Sequence, residues 1–373
     1  MRVLCGARVV TPSGVIDDGR VEIVDGRISA VGPARRIPVT TQPDLGGGWL
    51  LPGFIDLHMH GGGGYDVTKS AAEMAAAVEF HRRHGTTRTL VSLMAQPVES
   101  MCQQLKWVAG STAAGEILGA HLEGPFLSSA RCGAQLPQNL LMPALLVLRR
   151  LLEAGHGSVR TVTVAPELPG ALALIQELVS GDVVVAFGHT DATYEQATAA
   201  IGFGATLATH LFNAMGSITQ RAPGPSIAAL DSHVFVELIN DGVHVHESLI
   251  RLTARHAADR LIFITDAISA TGVGDGDYPL GDQTVRVSGG EPRSLTTHNL
   301  AGSTLTMDEA VRRAVQVVGL PIEVAAAAAA TTPARLLGLQ DRYGAIAEGL
   351  AADLVLLDDD LQVQRVMVAG CWL

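Results

Sequence analysis

LPGFIDLHMHG, residues 51–61, is an apolar, strand-length run that closes on two histidines, and it is the first of eight such runs. The others are TTRTLVSL (86–93), EILGAHLEG (116–124), VRTVTVAP (159–166), VVVAFGH (183–189), GATLATHL (204–211), VFVELIND (234–241) and LIFITDA (261–267). Strands buried on both faces read as near-continuous apolar stretches, and helix-length segments fill the gaps. That alternation predicts a parallel sheet with crossover helices. Eight βα units predict a closed (β/α)8 TIM-type barrel of the α/β class, and no glycine-rich dinucleotide fingerprint argues for an open doubly wound sheet.

Outside these runs the pattern changes. Residues 1–50 read as short strands and turns, with Asp25-Gly26 at a hairpin turn, and GAIAEGLAADLVLLDDDLQVQRVMVAG (344–370) shows similar alternation. Each end alone would leave a sheet with one open apolar face. Residues 1–50 and 340–373 are therefore expected to pair into a small β-sandwich around a barrel spanning 51–339. The Gly- and Asp-rich segment 273–299, with the alternating Thr284-Val285-Arg286-Val287, predicts a hairpin insertion after the eighth strand, followed by two alanine-rich helices.

Composition narrows the partners. A net charge of −11 without a Lys/Arg cluster disfavours nucleic acid, whose binding depends on basic groups that displace counterions. No apolar stretch reaches the roughly 20 residues of a membrane span, so no membrane contact is expected. Cys5, Cys102, Cys132 and Cys371 are far apart, which fits reduced thiols and a cytoplasmic location better than a disulfide framework. An anionic substrate would have to be held by local cations or a metal, against the overall field.

In a (β/α)8 barrel, chemistry sits at the carboxyl ends of the strands. Here those ends carry His58 and His60, Glu123, His189, His210 and Asp266. His58 and His60 are two apart, so both side chains share one strand face. Imidazole nitrogens and carboxylate oxygens are ordinary ligands of divalent ions. One such residue is usually a packed histidine or a helix cap. Four histidines and two carboxylates together would leave charges and lone pairs uncompensated if buried without a cation. His121 reads either as a partner orienting Glu123 or as a core histidine.

The order H-x-H, carboxylate, His, His, Asp resembles the amidohydrolase superfamily, as do LLPGFIDLHMHG (50–61) and GLAADLVLLD (349–358). More narrowly, HLEGPF (121–126), FGHTDA (187–192), THLFNAM (209–215), DGVHV (241–245) and TDA (265–267) resemble the N-acetylglucosamine-6-phosphate deacetylases. The resemblance implies that Glu123, His189 and His210 hold one divalent metal. His58 and His60 would complete a second, with Glu123 bridging and Asp266 close by. Zinc is the first expectation from the nitrogen and oxygen donors, which also accept iron, cobalt or manganese. It further implies hydrolysis of an acetamide by metal-activated hydroxide, with Asp266 as general base and then acid.

For the sugar phosphate, the resemblance assigns Asn213, Ala214 and His244, with Arg221 reaching across from a neighbouring subunit of a homodimer. The loop after the HLEGP segment departs from the family: relatives carry a basic residue, Gly, a small residue and His there, while Arg131-Cys132-Gly133-Ala134-Gln135 places Cys132 and Gln135 at two of those positions. Both are candidate substrate contacts, but Gln135 cannot carry charge. Other readings are a hydrolase of another N-acyl or cyclic amide, or a relative without catalysis. A carboxylated lysine bridge of the cyclic-amide type has no counterpart, since VTVAPE (162–167) lacks Lys.

Overall fold

The computed structural model describes residues 1–34 and 45–373; the N-terminal strand reading that runs through 35–44 lies outside the described residues. The chain divides into two compact units, one of Met1–Asp56, His81–Arg88 and Thr306–Leu373, the other of Leu57–Phe80 and Thr89–Leu305.

Eight strands alternate along the chain with helices: β1 (Phe54–Asp56), α1 (Ala71–Arg83), β2 (Thr86–Met94), α2 (Val98–Ala113), β3 (Gly119–Glu123), α3 (Leu145–Ala154), β4 (Val159–Val164), α4 (Ala171–Ser180), β5 (Val184–Phe187), α5 (Tyr194–Gly202), β6 (Leu207–Ala208), α6 (Gly224–Leu230), β7 (Phe235–Ile239), α7 (Glu247–Ala257), β8 (Leu261–Ile264) and α8 (Met307–Gln316). The strands join in sequence order into one eight-stranded sheet, parallel from β2 through β8. Closure occurs just past the strand ends. Asp266 N–H donates to His58 O and His60 N–H donates to Ala267 O, each at 2.8 Å, with a parallel bridge between Met59 and Ala267. All eight expected runs are strands of this (β/α)8 barrel, and the segments that close it also carry candidate ligands.

The first run differs from its reading in one respect. Residues 51–58 were expected as a single strand, but Trp49–Pro52 belongs to the terminal sheet and only Phe54–Asp56 to the barrel. The break falls at Gly53, where a Cβ would lie 2.4 Å from Thr87 Oγ1, so only glycine lets the chain pass that neighbour.

Both chain ends pair into one seven-stranded sheet. Trp49–Pro52 is its hinge in sequence, parallel to Arg2–Thr11 and antiparallel to Leu354–Leu357. Asp25 and Gly26 both take positive φ, at 49° and 76°, as a two-residue type I′ hairpin requires. Leu4, Val9, Val21, Ile23, Leu50, Leu354 and Met367 form the buried core of this sheet. Within the barrel unit, Gly276–Leu280, Gln283–Ser288 and Glu291–Ser294 make a three-stranded antiparallel sheet with Leu280, Val285 and Val287 buried.

Candidate active site

The six expected ligands come together, and all are buried. Two groups form, each with its donor atoms within 4.8 Å of one another: His58, His60 and Asp266, and Glu123, His189 and His210. His189, His210 and Asp266 occupy the left-handed region, with φ of 45°, 28° and 50°. Such backbone costs about 1–3 kcal/mol per residue and persists only where surroundings enforce it. It turns the chain sharply at the ends of β5, β6 and β8. Asp266 is enforced tightly: its N–H donates to His58 O, its O accepts Ser303 N–H at 2.7 Å, and a Cβ at Gly302 would sit 2.7 Å from that same oxygen.

Hydrogen bonds fix which nitrogen is bare in two of the four imidazoles. His60 Nδ1 lies 3.1 Å from Ser92 O, and His189 Nδ1 lies 2.9 Å from Arg131 O. A carbonyl only accepts, so both protons sit on Nδ1 and each Nε2 presents a lone pair. His189 Nε2 lies 3.1 Å from His210 Nε2, and both lie 3.0 Å from Glu123 Oε1. His60 Nε2 lies 3.1 Å from His58 Nε2, 3.2 Å from Asp266 Oδ1 and 3.5 Å from Glu123 Oε2. The bare Nε2 atoms of His60 and His189 thus face carboxylate oxygens at distances where two acceptors repel unless a proton or a cation lies between them. Four ligands at about 2.0–2.2 Å from an ion stand roughly 3.3–3.6 Å apart, so the donor set fits divalent cations.

The electrostatics agree. Burial alone would lower the His58 pKa, but the carboxylates of Asp266, Glu123 and Glu237 outweigh it and raise it from 6.5 to about 10. Burial would raise Glu123 and Asp266, yet His189 and His58 hold Glu123 well below the usual carboxylate range, and His58 and His60 hold Asp266 down. This interior favours added positive charge. Beneath the ligands, His121 is neutral: burial, then the nearby His58, lowers its pKa well below 6.5. Its ring spans Ser92 Oγ at 2.9 Å and Thr163 Oγ1 at 2.8 Å, and so supports the layer under Glu123.

A cavity of about 370 Å³ opens on the ligands, lined among others by His60, Glu123, His189, His210 and Asp266. Asn213, Ala214, His244 and Gln135 also line it. Burial pulls the His244 pKa down, but the Asp241 carboxylate, 2.6 Å from His244 Nδ1, reverses this and leaves it raised. An imidazole whose charged form is favoured by Asp241 therefore faces the cavity. Both ends of the Gln135 amide are held within the protein. Its Oε1 accepts Ala95 N–H at 2.9 Å, so its Nε2 is the atom that donates to Glu123 Oε2 at 2.6 Å. Arg221 is exposed and outside the cavity lining, and Cys132 is half-buried and also outside it.

Sequence reasoning missed Glu237, Ser92, Asp241 and Arg131. Ser92 holds two histidines, through its carbonyl and its hydroxyl, while Arg131 holds His189 by its carbonyl and is itself among the residues lining the cavity. Backbone contacts of this kind leave no mark on residue type. Asp241, three before His244, was the most findable of the four.

The sequence profile of the amidohydrolase family matches residues 49–373. The N-acetyl-D-glucosamine-6-phosphate deacetylase of Mycobacterium smegmatis, solved as an aspartate-to-alanine mutant in complex with N-acetyl-D-glucosamine-6-phosphate, shares 44% identity. It superposes with a TM-score of 0.96 over 100% of this chain and 98% of that one. An N-acetylgalactosamine-6-phosphate deacetylase of Escherichia coli O157:H7 is 36% identical, over 99% of this chain and 98% of its own length. The N-acetylglucosamine-6-phosphate deacetylase of Lysinibacillus sphaericus is 33% identical, over 97% and 95%. A barrel with histidines and carboxylates at its strand ends is an amidohydrolase scaffold, and this chain belongs to the amidohydrolase family. Within that family its relatives over the full chain are the amino-sugar 6-phosphate deacetylases.

Proposed function

We propose that this enzyme hydrolyses the acetamide of N-acetylglucosamine 6-phosphate to glucosamine 6-phosphate and acetate. The observation that carries this is the pair of buried donor groups meeting at Glu123, opening on a cavity that also holds His244, whose charged form Asp241 favours. In this reading Glu123, His189 and His210 would hold one divalent ion. His58, His60 and Asp266 would hold a second, with Glu123 between them. Zinc suits the nitrogen and oxygen donors, and iron, cobalt and manganese are the alternatives. Such an ion, when bound, polarises an amide carbonyl and lowers the pKa of water toward about 7.

The chain's own groups do the rest. The Asp266 carboxylate, held low in pKa, takes the proton of the attacking water. It then returns that proton to the nitrogen as the carbon–nitrogen bond breaks. Burial in a low-dielectric mouth strengthens each of these interactions. Asn213, Ala214 and His244 receive the phosphate, and Arg221 completes the pocket from the neighbouring subunit of a homodimer. Planar guanidinium suits bidentate phosphate contact. Gln135 lines the cavity and acts on the sugar's surroundings through its grip on Glu123, with Cys132 beside the cavity in the same loop. Residues 51–339 serve as the catalytic domain, 1–50 with 340–373 as the small β domain, and the enzyme works in the cytoplasm.

Acetate release is the direct assay, run with N-acetylglucosamine 6-phosphate, its galacto epimer and unphosphorylated N-acetylglucosamine. The expected kcat/KM is highest for the first substrate and lowest for the last. Failure to release acetate from either phosphorylated sugar, with opening of a cyclic amide instead, would exclude this reading. Faster turnover of the galacto epimer would move the assignment to the activity named for the Escherichia coli relative.

A further inference from the structure

The strand β7 is apolar except for Glu237, which sits between Val236 and Leu238 with 1% of its surface exposed. A carboxylate inside a barrel wall is costly unless it is compensated. Glu237 Oε2 accepts His210 N–H at 3.3 Å and lies 3.6 Å from His58 Nδ1. It therefore touches one member of each donor group, from behind, on the side away from the cavity lining.

Two of the other candidate ligand imidazoles show what this arrangement does. His60 and His189 are fixed by an acceptor at Nδ1, the Ser92 and Arg131 carbonyls, which leaves Nε2 bare. At His58 Nδ1 the facing acceptor is a charged carboxylate instead. A carboxylate behind a ligand histidine fixes its tautomer and makes the metal-facing nitrogen more basic. We propose that Glu237 is a positioning residue that holds His58 with its proton on Nδ1 and its Nε2 lone pair toward the His60 and Asp266 ligand atoms, and so sets the affinity of that site for its divalent ion. Its negative charge also matters: two divalent ions bring four positive charges, and Glu237 adds a third buried carboxylate to Glu123 and Asp266. The inference rests on the reading that both donor groups bind metal.

The test uses the full chain, stripped with a chelator and titrated with zinc, with affinities read by competition against a chromophoric chelator and stoichiometry by elemental analysis. The wild type is expected to take two ions. In Glu237→Gln, which keeps shape and an accepting oxygen, one ion should bind roughly 10-fold more weakly while the other is unchanged. In Glu237→Leu the loss should approach about 100-fold. A purely structural Glu237 would lower the melting temperature of the metal-free protein and leave both affinities at wild-type values, which would overturn the proposal. Nitrogen-15 NMR of histidine-labelled wild type decides the matter even if both variants misfold. His58 should carry its proton on Nδ1, and a proton on Nε2 in the zinc-loaded chain would refute the role. A wild-type chain that takes up no second ion would instead refute the two-metal reading, so the two failures are distinguishable.

Discussion

Asp266 carries the most specific demand at the scale of single residues. It lies in the left-handed region, 3.2 Å from His60 Nε2 and 3.5 Å from His58 Nε2, and its carboxyl stays ionised because those rings outweigh the cost of burial. Asp266→Asn preserves shape but cannot accept and return a proton. We expect kcat to fall by about 10²–10⁴ with metal content still measurable by elemental analysis. Near-normal turnover would remove Asp266 from proton transfer. The six candidate ligands stand out in the sequence because each ends an apolar run, where a polar residue is conspicuous. Glu237 does not: within VFVELIND a charged residue reads as an outward-facing position, and only the register of β7 shows that it faces His58 and His210. Gln135 was legible as a position but not as a contact, since its hold on Glu123 depends on where the loop returns.

Among the elements, the eight strands follow directly from the apolar runs, and their true ends do not. The eight-residue run GATLATHL yields a strand of only Leu207–Ala208, because the backbone leaves the ladder where His210 and Phe212 adopt φ of 28° and 78°. Periodicity cannot show such a turn, since histidine and phenylalanine carry no signal like that of Gly26. The terminal sheet offers a stability test. Arg88, on the part of β2 that belongs to the first unit, holds Asp353 by two hydrogen bonds of 2.7 and 3.2 Å, and Asp353 Oδ1 also accepts Ala369 N–H at 2.7 Å. The aspartate side chain is 4% exposed and the arginine 11%, so neither charge is well solvated. Asp353→Ala would strand the guanidinium and should cost about 3–5 kcal/mol, read as a lower midpoint in urea. A loss under about 1 kcal/mol would show that the pair behaves like an exposed one.

On the scale of the whole molecule, the chain runs against its own charge. At −11 it must draw a phosphorylated sugar by local cations, and the cavity supplies His244, whose charged form Asp241 favours, beside its buried donor groups. Among the described residues no helix is long and apolar enough to cross a membrane. The pairing of the two ends was legible because each sequence alone left an apolar face uncovered. Sequence could not show that Trp49–Pro52 links them, since the same run continues into the barrel. The central claim is that the catalytic power of this barrel comes from divalent ions gathered by His58, His60, Glu123, His189, His210 and Asp266. Its most direct test is acetate release from N-acetylglucosamine 6-phosphate against metal bound per chain, through exhaustive chelation and stepwise zinc return. Turnover should vanish with the metal and return in proportion to it; full activity in metal-free protein would contradict the account.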